Sequence, residues 1–277
     1  MATNVDIKEL LNAGAHFGHK TSRWHPKMAP YIHSKRNGSH IIDLTKTVEK
    51  LEEALDFISD TTSKGKQVLI VGTKRQVHDI AKTLALETSM PYVVERWLGG
   101  MLTNSNTINV RIKHLKDLEE KMANGELANK YNKLEVQRFQ EEIDFMNIQY
   151  GGIKEMAAKL GAVFVFDPTE DKNAVLEATK LGVPIIALTD SNADPSAITY
   201  PVPCNDDAIK TLTLISSYVK QAIEDGRALS AKNSDKEVSA DKAKKPADSS
   251  AKTSPQEVSA DKTEEPAAKE EAVAEAK

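Results

Sequence analysis

Short apolar runs alternate with helical spacing along most of this chain. Residues 67–71 (QVLIV) are a β-branched run that stops at Gly72, and 163–166 and 184–188 have the same character. Between these runs the apolar positions step by three and four. Val48, Leu51, Leu55 and Ile58 predict a helix, with Thr45 as a cap and Gly65 as a stop. Val77, Ile80, Ala81 and Leu84 predict a second, ahead of Pro91 and the apolar 92–94. A third spans about 174–181, closed by Gly182, and a last one runs from about 206 to 225. Strand following helix in this way predicts an α/β fold: a mostly parallel sheet with helices on both faces. Right-handed crossovers then gather the loops after the strands along one edge.

From about 104 to 150 the chain turns to Lys, Glu, Asn and Gln. Ile108, Ile112, Leu115, Leu118 and Met122 form one apolar seam, Asn124-Gly125 is a break, and Val136, Phe139, Ile143, Met146 and Tyr150 form a second seam. Two such helices can satisfy each other as an antiparallel coiled-coil hairpin inserted in the sheet domain and projecting about 30 Å. The alternative is two ordinary helices lying on the sheet. After residue 230 no aromatic residue remains, and EVSADK occurs at both 237–242 and 257–262. The organisation expected is therefore one α/β domain, 1–230, with the hairpin insertion, and a disordered low-complexity tail, 231–277.

The chain has 277 residues, 40% of them hydrophobic, enough to bury a real core. No run approaches the length of a membrane span, and the first residues resemble neither a secretory signal nor a transit peptide. The single cysteine, Cys204, excludes an internal disulfide and a Cys-based zinc cage, which fits a reducing cytosol. A net charge of −4 argues against nucleic acid until its distribution is seen. Residues 1–116 carry +6 and residues 117–230 carry −8, so one surface can hold phosphates while another faces solvent or protein.

The basic half has a focus. Residues 10–42 contain no Asp or Glu but hold Lys20, Arg23, Lys27, Lys35 and Arg36, with His16, His19, His25, His33 and His40 among them. Phe17, Trp24 and Tyr31 are interleaved, planar groups that stack on bases where the cations hold phosphates. Gly14, Gly18, Gly38, Pro26 and Pro30 predict irregular loop for most of this RNA-binding arm. A second block of the same kind is RWLGGMLTN: Arg96 and Trp97 supply charge and a ring, and Asn104 is positioned to cap the next helix. Trp97 has a competing role as a core plug beneath the hairpin. Lys74 and Arg75, after a strand and at a helix start, suggest a further anion site.

Enzymatic readings are thinner. Asp167, Asp190, Asp194, Asp206 and Asp207 end or follow strands, and converged at one sheet edge they could hold Mg²⁺ for phosphoryl transfer. Asp and Asn are also turn formers, and Asp206 is placed to cap the last helix. Neither GxxxxGK[ST] nor GxGxxG occurs, Cys204 lies in no nucleophile motif, and the histidines lack a recognised zinc spacing.

AGAHFGHKTSRWHPKMAPYI, RNGSHIIDLTKTV, VGTKRQ, MPYVVERWLGGMLTN, GGIKEM and VPCNDDAI occur in this order. Over about residues 5–225 the chain closely resembles the bacterial small-subunit ribosomal protein S-two family. The resemblance implies a flavodoxin-like α/β domain with a coiled-coil hairpin, bound to small-subunit rRNA on the solvent side where head meets body. It implies a cytoplasmic location in a bacterial small subunit and no catalysis; no cofactor, metal site, membrane or small-molecule substrate is expected. Its partners would be rRNA and other small-subunit proteins, including the large S-one protein that brings messenger RNA. Matching blocks assign rRNA contacts to His16, His19, Lys20, Arg23, Trp24, Lys27, Tyr31, Lys35 and Arg36, to Lys74 and Arg75, and to Arg96, Trp97, Asn104 and Arg111. Two positions depart from the family pattern. Ala193 stands where Cys is common, and Cys204 where Gly is usual, which opens the question of a positive φ there.

Overall fold

The computed structural model describes residues 5–242, with side chains as far as 230. Asp6 caps α1 (Ile7–Ala13) by accepting from the Lys8 amide at 2.8 Å, and Gly14, at φ +85°, ends it. Strands β1 (Phe17–Lys20), β2 (Ile32–Arg36) and β3 (Ser39–Ile42) follow, paired antiparallel in the order β1-β3-β2. This corrects the expectation of irregular loop. The breakers punctuate the strands: Pro26 and Pro30 lie in a single 3-10 segment, Pro26–Tyr31, while Asn37 and Gly38 adopt φ +50° and +77° between Arg36 and its partner Ser39. Two consecutive left-handed residues make the tight turn whose twist matches an antiparallel hairpin.

Asp43, not Thr45, caps α2 (Leu44–Ser63), accepting from the Thr45 amide at 3.0 Å. Then come β4 (Val68–Val71), α3 (His78–Thr88), β5 (Tyr92–Val93), the hairpin helices α4 (Ser105–Ala123), α5 (Glu126–Lys130) and α6 (Lys133–Tyr150), and β6 (Ala162–Val165). The order closes with α7 (Lys172–Leu181), β7 (Ile185–Thr189), β8 (Tyr200–Pro203) and α8 (Ile209–Lys242). β5-β4-β6-β7-β8 form one parallel sheet, the flavodoxin-like order, in which the winding reverses between β4 and β6.

Every residue of β4, β6 and β7 is buried, because both sheet faces are covered. Val68, Ile70, Phe164, Ile186 and Leu188 pack with α2, α3 and α8; Leu69, Val71, Val163, Val165 and Ala187 pack with α7 and the base of α4. The strand β8, which the apolar pattern does not predict, contains Pro201 and Pro203, tolerated because it lies at the sheet edge. The last helix starts at Ile209 and runs past the expected Asp225, so the tail expected from residue 231 begins in helix. Residues 243–277 lie outside the described ones.

Helices α4 and α6 pack through Leu115, Leu118, Ile143 and Met146, flanked by Met122, Phe139 and Tyr150. Ile108 and Ile112, expected in that seam, pack instead with Trp97 and Met101 on the sheet, rooting the helix there. The chain breaks at Asn124-Gly125 as expected, with Gly125 at φ +69°, α5 follows the break, and Asn132 and Glu135 form a reciprocal capping box on α6. The chain returns from the hairpin at Gly152, where an added Cβ would lie 2.2 Å from the Tyr92 carbonyl oxygen, so only glycine fits.

Candidate nucleic-acid interface

The three-stranded sheet presents Lys20, Arg23, Lys35 and Arg36 to solvent, and among the described residues none of them pairs with a carboxylate. Trp24 is 37% exposed, and its ring lies 5.2 Å from that of His40, tilted by 35°. His40 is buried with both ring nitrogens unpartnered, and burial, with help from Lys35, lowers its pKa. A neutral imidazole therefore supports the inner side of the indole. Tyr31 is half-buried; Lys27 is exposed but reaches Asp194 at 3.1 Å. His16 is half-buried against Phe17, with ring centroids 4.0 Å apart.

This sheet is fastened to the loops that follow the parallel strands. The His19 amide donates to Asp190 Oδ1 (3.2 Å) and Ser191 Oγ (2.9 Å), and the Asn205 amide donates to the Ala15 carbonyl at 3.0 Å. Gly18 makes the approach possible, since a Cβ there would stand 3.0 Å from Ser191 Oγ and 3.2 Å from Asp190 Oδ1. The His19 ring works inward as well: Nδ1 lies 2.8 Å from Asp190 Oδ2 and Nε2 lies 3.6 Å from Asp207 Oδ2. The hydrogen bond to Asp190 outweighs burial and raises its pKa.

Lys74 does not face outward. At the end of β4, where the sheet reverses its winding, its ammonium contacts Asp207 (2.7 Å), Asp206 (3.0 Å) and Asp167 (3.2 Å). Burial opposes its charge, but the hydrogen bonds to Asp207 and Asp206 and the nearby carboxylates raise its pKa overall. Burial pushes Asp206 up to about 7, reinforced by Asp167 and Asp190 against the pull of Lys74. Burial likewise pushes Asp171 up to about 6, although the Thr73 hydroxyl donates to it at 2.9 Å and the Thr73 amide at 3.3 Å. The anion site expected at Lys74 and Arg75 is thus filled by the chain's own carboxylates, and α3 starts only at His78. Arg75 remains exposed.

The strand-end carboxylates converge only in part. Asp194 lies elsewhere, capping the 3-10 turn at Ser196 (3.0 Å), and Asp206 faces Lys74 rather than capping α8. His19, Asp206 and Asp207 bring potential ligand atoms within 4.8 Å of one another, the geometry of a metal site, yet Lys74 already supplies a cation to both carboxylates. Cys204 is buried, and burial, then Asp206 and Asp190, pushes its thiol well up; its φ is not positive.

In the second basic block Arg96, Asn104 and Arg111 are exposed, while Trp97 is 7% exposed and packs in the core, the competing role the sequence offered. Asn104 precedes α4 without a side-chain cap bond, its Oδ1 accepting instead from the Thr107 hydroxyl at 3.0 Å. Sequence reasoning missed Glu177, whose carboxylate receives five hydrogen bonds from residues 97–103. Its signal was an acid among Ala174, Val175 and Ala178 on the inner face of α7.

No described helix is long and apolar enough to cross a membrane. The family model described as "Ribosomal protein S2" matches residues 10–226. The chain is 48% identical over 223 residues to "Small ribosomal subunit protein uS2" of Roseiflexus castenholzii, covering 80% of this chain and 84% of that protein. It is 47% identical over 222 residues to the protein of the same name from Chloroflexus aggregans, covering 80% and 93%. A flavodoxin-like sheet carrying a helical hairpin, an unpaired cationic face and these matches agree: the chain belongs to the ribosomal protein S2 family, whose role is structural rather than enzymatic.

Proposed function

We propose that this protein is a structural constituent of the bacterial small ribosomal subunit that binds its rRNA near the junction of head and body. The observation that carries the reading is the set Lys20, Arg23, Lys35 and Arg36: exposed, without carboxylate partners among the described residues, and on or beside the small sheet whose His40 backs the half-exposed Trp24. Unpaired cations that neutralise rRNA phosphates release the counterions condensed on the RNA, and the ring adds stacking. Tyr31, Lys27, Arg75, Arg96, Asn104 and Arg111 extend this surface. His16, His19, Lys74 and Trp97 support it from within, by packing or by holding the sheet to the body.

Docking of the large S-one protein through the acidic half, residues 117–230, is part of the same proposal. Nucleotide-resolution crosslinking on intact small subunits tests it. Crosslinks from the three-stranded sheet and from Arg96 to small-subunit rRNA are expected. Protein that remains at the top of a sucrose gradient in moderate salt, without rRNA crosslinks, would refute the assignment.

A further inference from the structure

Arg96 and Asn104 flank a loop whose shape is set by one carboxylate from α7. Glu177 is 8% exposed; its Oε1 accepts from Trp97 Nε1 (3.1 Å) and the Gly100 amide (2.7 Å). Its Oε2 accepts from the amides of Leu102 and Thr103 (both 3.0 Å) and from the Thr103 hydroxyl (3.1 Å). A carboxylate offers about four lone-pair sites, so these donors leave no capacity for water. Burial alone would raise its pKa, but the bonds from Thr103, Trp97, Gly100 and Leu102 hold it below the usual range without the help of any cation.

A buried charge is costly unless fully hydrogen-bonded, and here five donors meet it. What the charge alone can do is draw three separate amides to one point, as backbone nests hold phosphate. That convergence requires Gly100 at φ +86°, where an added Cβ would come 3.1 Å from the Asn104 Cβ. It anchors Trp97 through the same oxygen that binds Gly100, so the direction of the chain at Arg96, and again at Asn104 on entry to α4, follows from Glu177.

We infer that Glu177 is a positioning residue for RNA contact, gathering the 97–103 backbone so that Arg96 and Asn104 are held toward the ribose-phosphate chain. The inference rests on the proposed rRNA-binding reading. A double-mutant cycle tests it, measuring rebinding of the full chain to small subunits stripped of this protein for wild type, Arg96→Ala, Glu177→Gln and the pair. Glu177→Gln keeps the size but turns one acceptor into a donor facing N–H groups. Each single change is expected to weaken binding about tenfold, and the pair by little more, because both remove one interaction. In Glu177→Gln the amides of Gly100, Leu102 and Thr103 should exchange faster while those of β4 and β6 keep their protection. If β4 and β6 lose protection, Thr103→Val, which removes one donor, replaces it in the cycle, with a loss of about threefold again coupled to Arg96. Additive effects, or loop amides protected as in wild type, would overturn the positioning role and leave the RNA reading intact. Wild-type rebinding by both Arg96→Ala and a Lys35→Ala/Arg36→Ala variant would remove the RNA reading, and the positioning role with it.

Discussion

The three-stranded sheet and the reversal point of the parallel sheet both present lysines that the sequence marks as phosphate ligands, and the fold treats them in opposite ways. Lys20, Arg23, Lys35 and Arg36 sit on or beside strands whose sequence neighbours contain no acid, and antiparallel pairing among β1, β2 and β3 brings none to them. Lys74 follows β4; the adjacent strand β6 delivers Asp167, and the loop after the edge strand β8 reaches back to bring Asp206 and Asp207. A cation's availability therefore depends on which strand ends the topology assembles around it. One region is a cationic surface open to solvent, the face proposed to meet rRNA; the other is an internal ion cluster.

Lys74→Met breaks the contrast most severely. It leaves Asp167 and Asp206 buried without their cation, and a loss of about 3 kcal/mol in urea-unfolding stability is expected. The salt dependence of subunit binding should stay as in wild type, since Lys74 neutralises no phosphate. Trp24→Ala should weaken binding by about 1–3 kcal/mol, again with unchanged salt dependence, because stacking releases few ions. A matching fall in stability instead of affinity would make the ring part of the core.

The ion cluster also has a pH signature. His19 and Asp206, the latter raised from 3.8 to about 7, and Asp171, raised to about 6, all bind protons more tightly in the folded chain than in the unfolded one. Stability from these groups is therefore present at low pH and lost as pH rises through their folded values. The contribution of Asp206 to the urea midpoint should fall from about pH 4 to about pH 7, so Asp206→Asn should show a smaller fall over that range than the wild type. The variant Arg36→Ala should leave the pH profile unchanged and shift stability by no more than about 0.5 kcal/mol.

The contrast also marks what a single sequence reveals. The runs at β4, β6 and β7 were legible because strands buried on both faces must be continuously apolar. β8 was not, because its prolines argue against a strand and only its edge position removes the objection. The opening sheet was hidden by its exposed, polar outer positions, although Asn37-Gly38 is a short hairpin signal. The exposed cations of the site were legible from an acid-free stretch. The inward turn of Lys74 was not, because its partner Asp206 lies 132 residues away in sequence. Trp97 and Arg96 are adjacent and of one composition, and their opposite fates follow from Glu177, a residue recognisable only once α7 is seen to pack beside them.

The most direct test is the salt dependence of rebinding to stripped small subunits for a variant with Lys20, Arg23, Lys35 and Arg36 all changed to alanine. Every phosphate left without its cation lowers the log–log slope by about 0.7–0.9, so a reduction of about three is expected with the melting transition unchanged. A slope equal to that of the wild type would contradict the claim that this face grips rRNA.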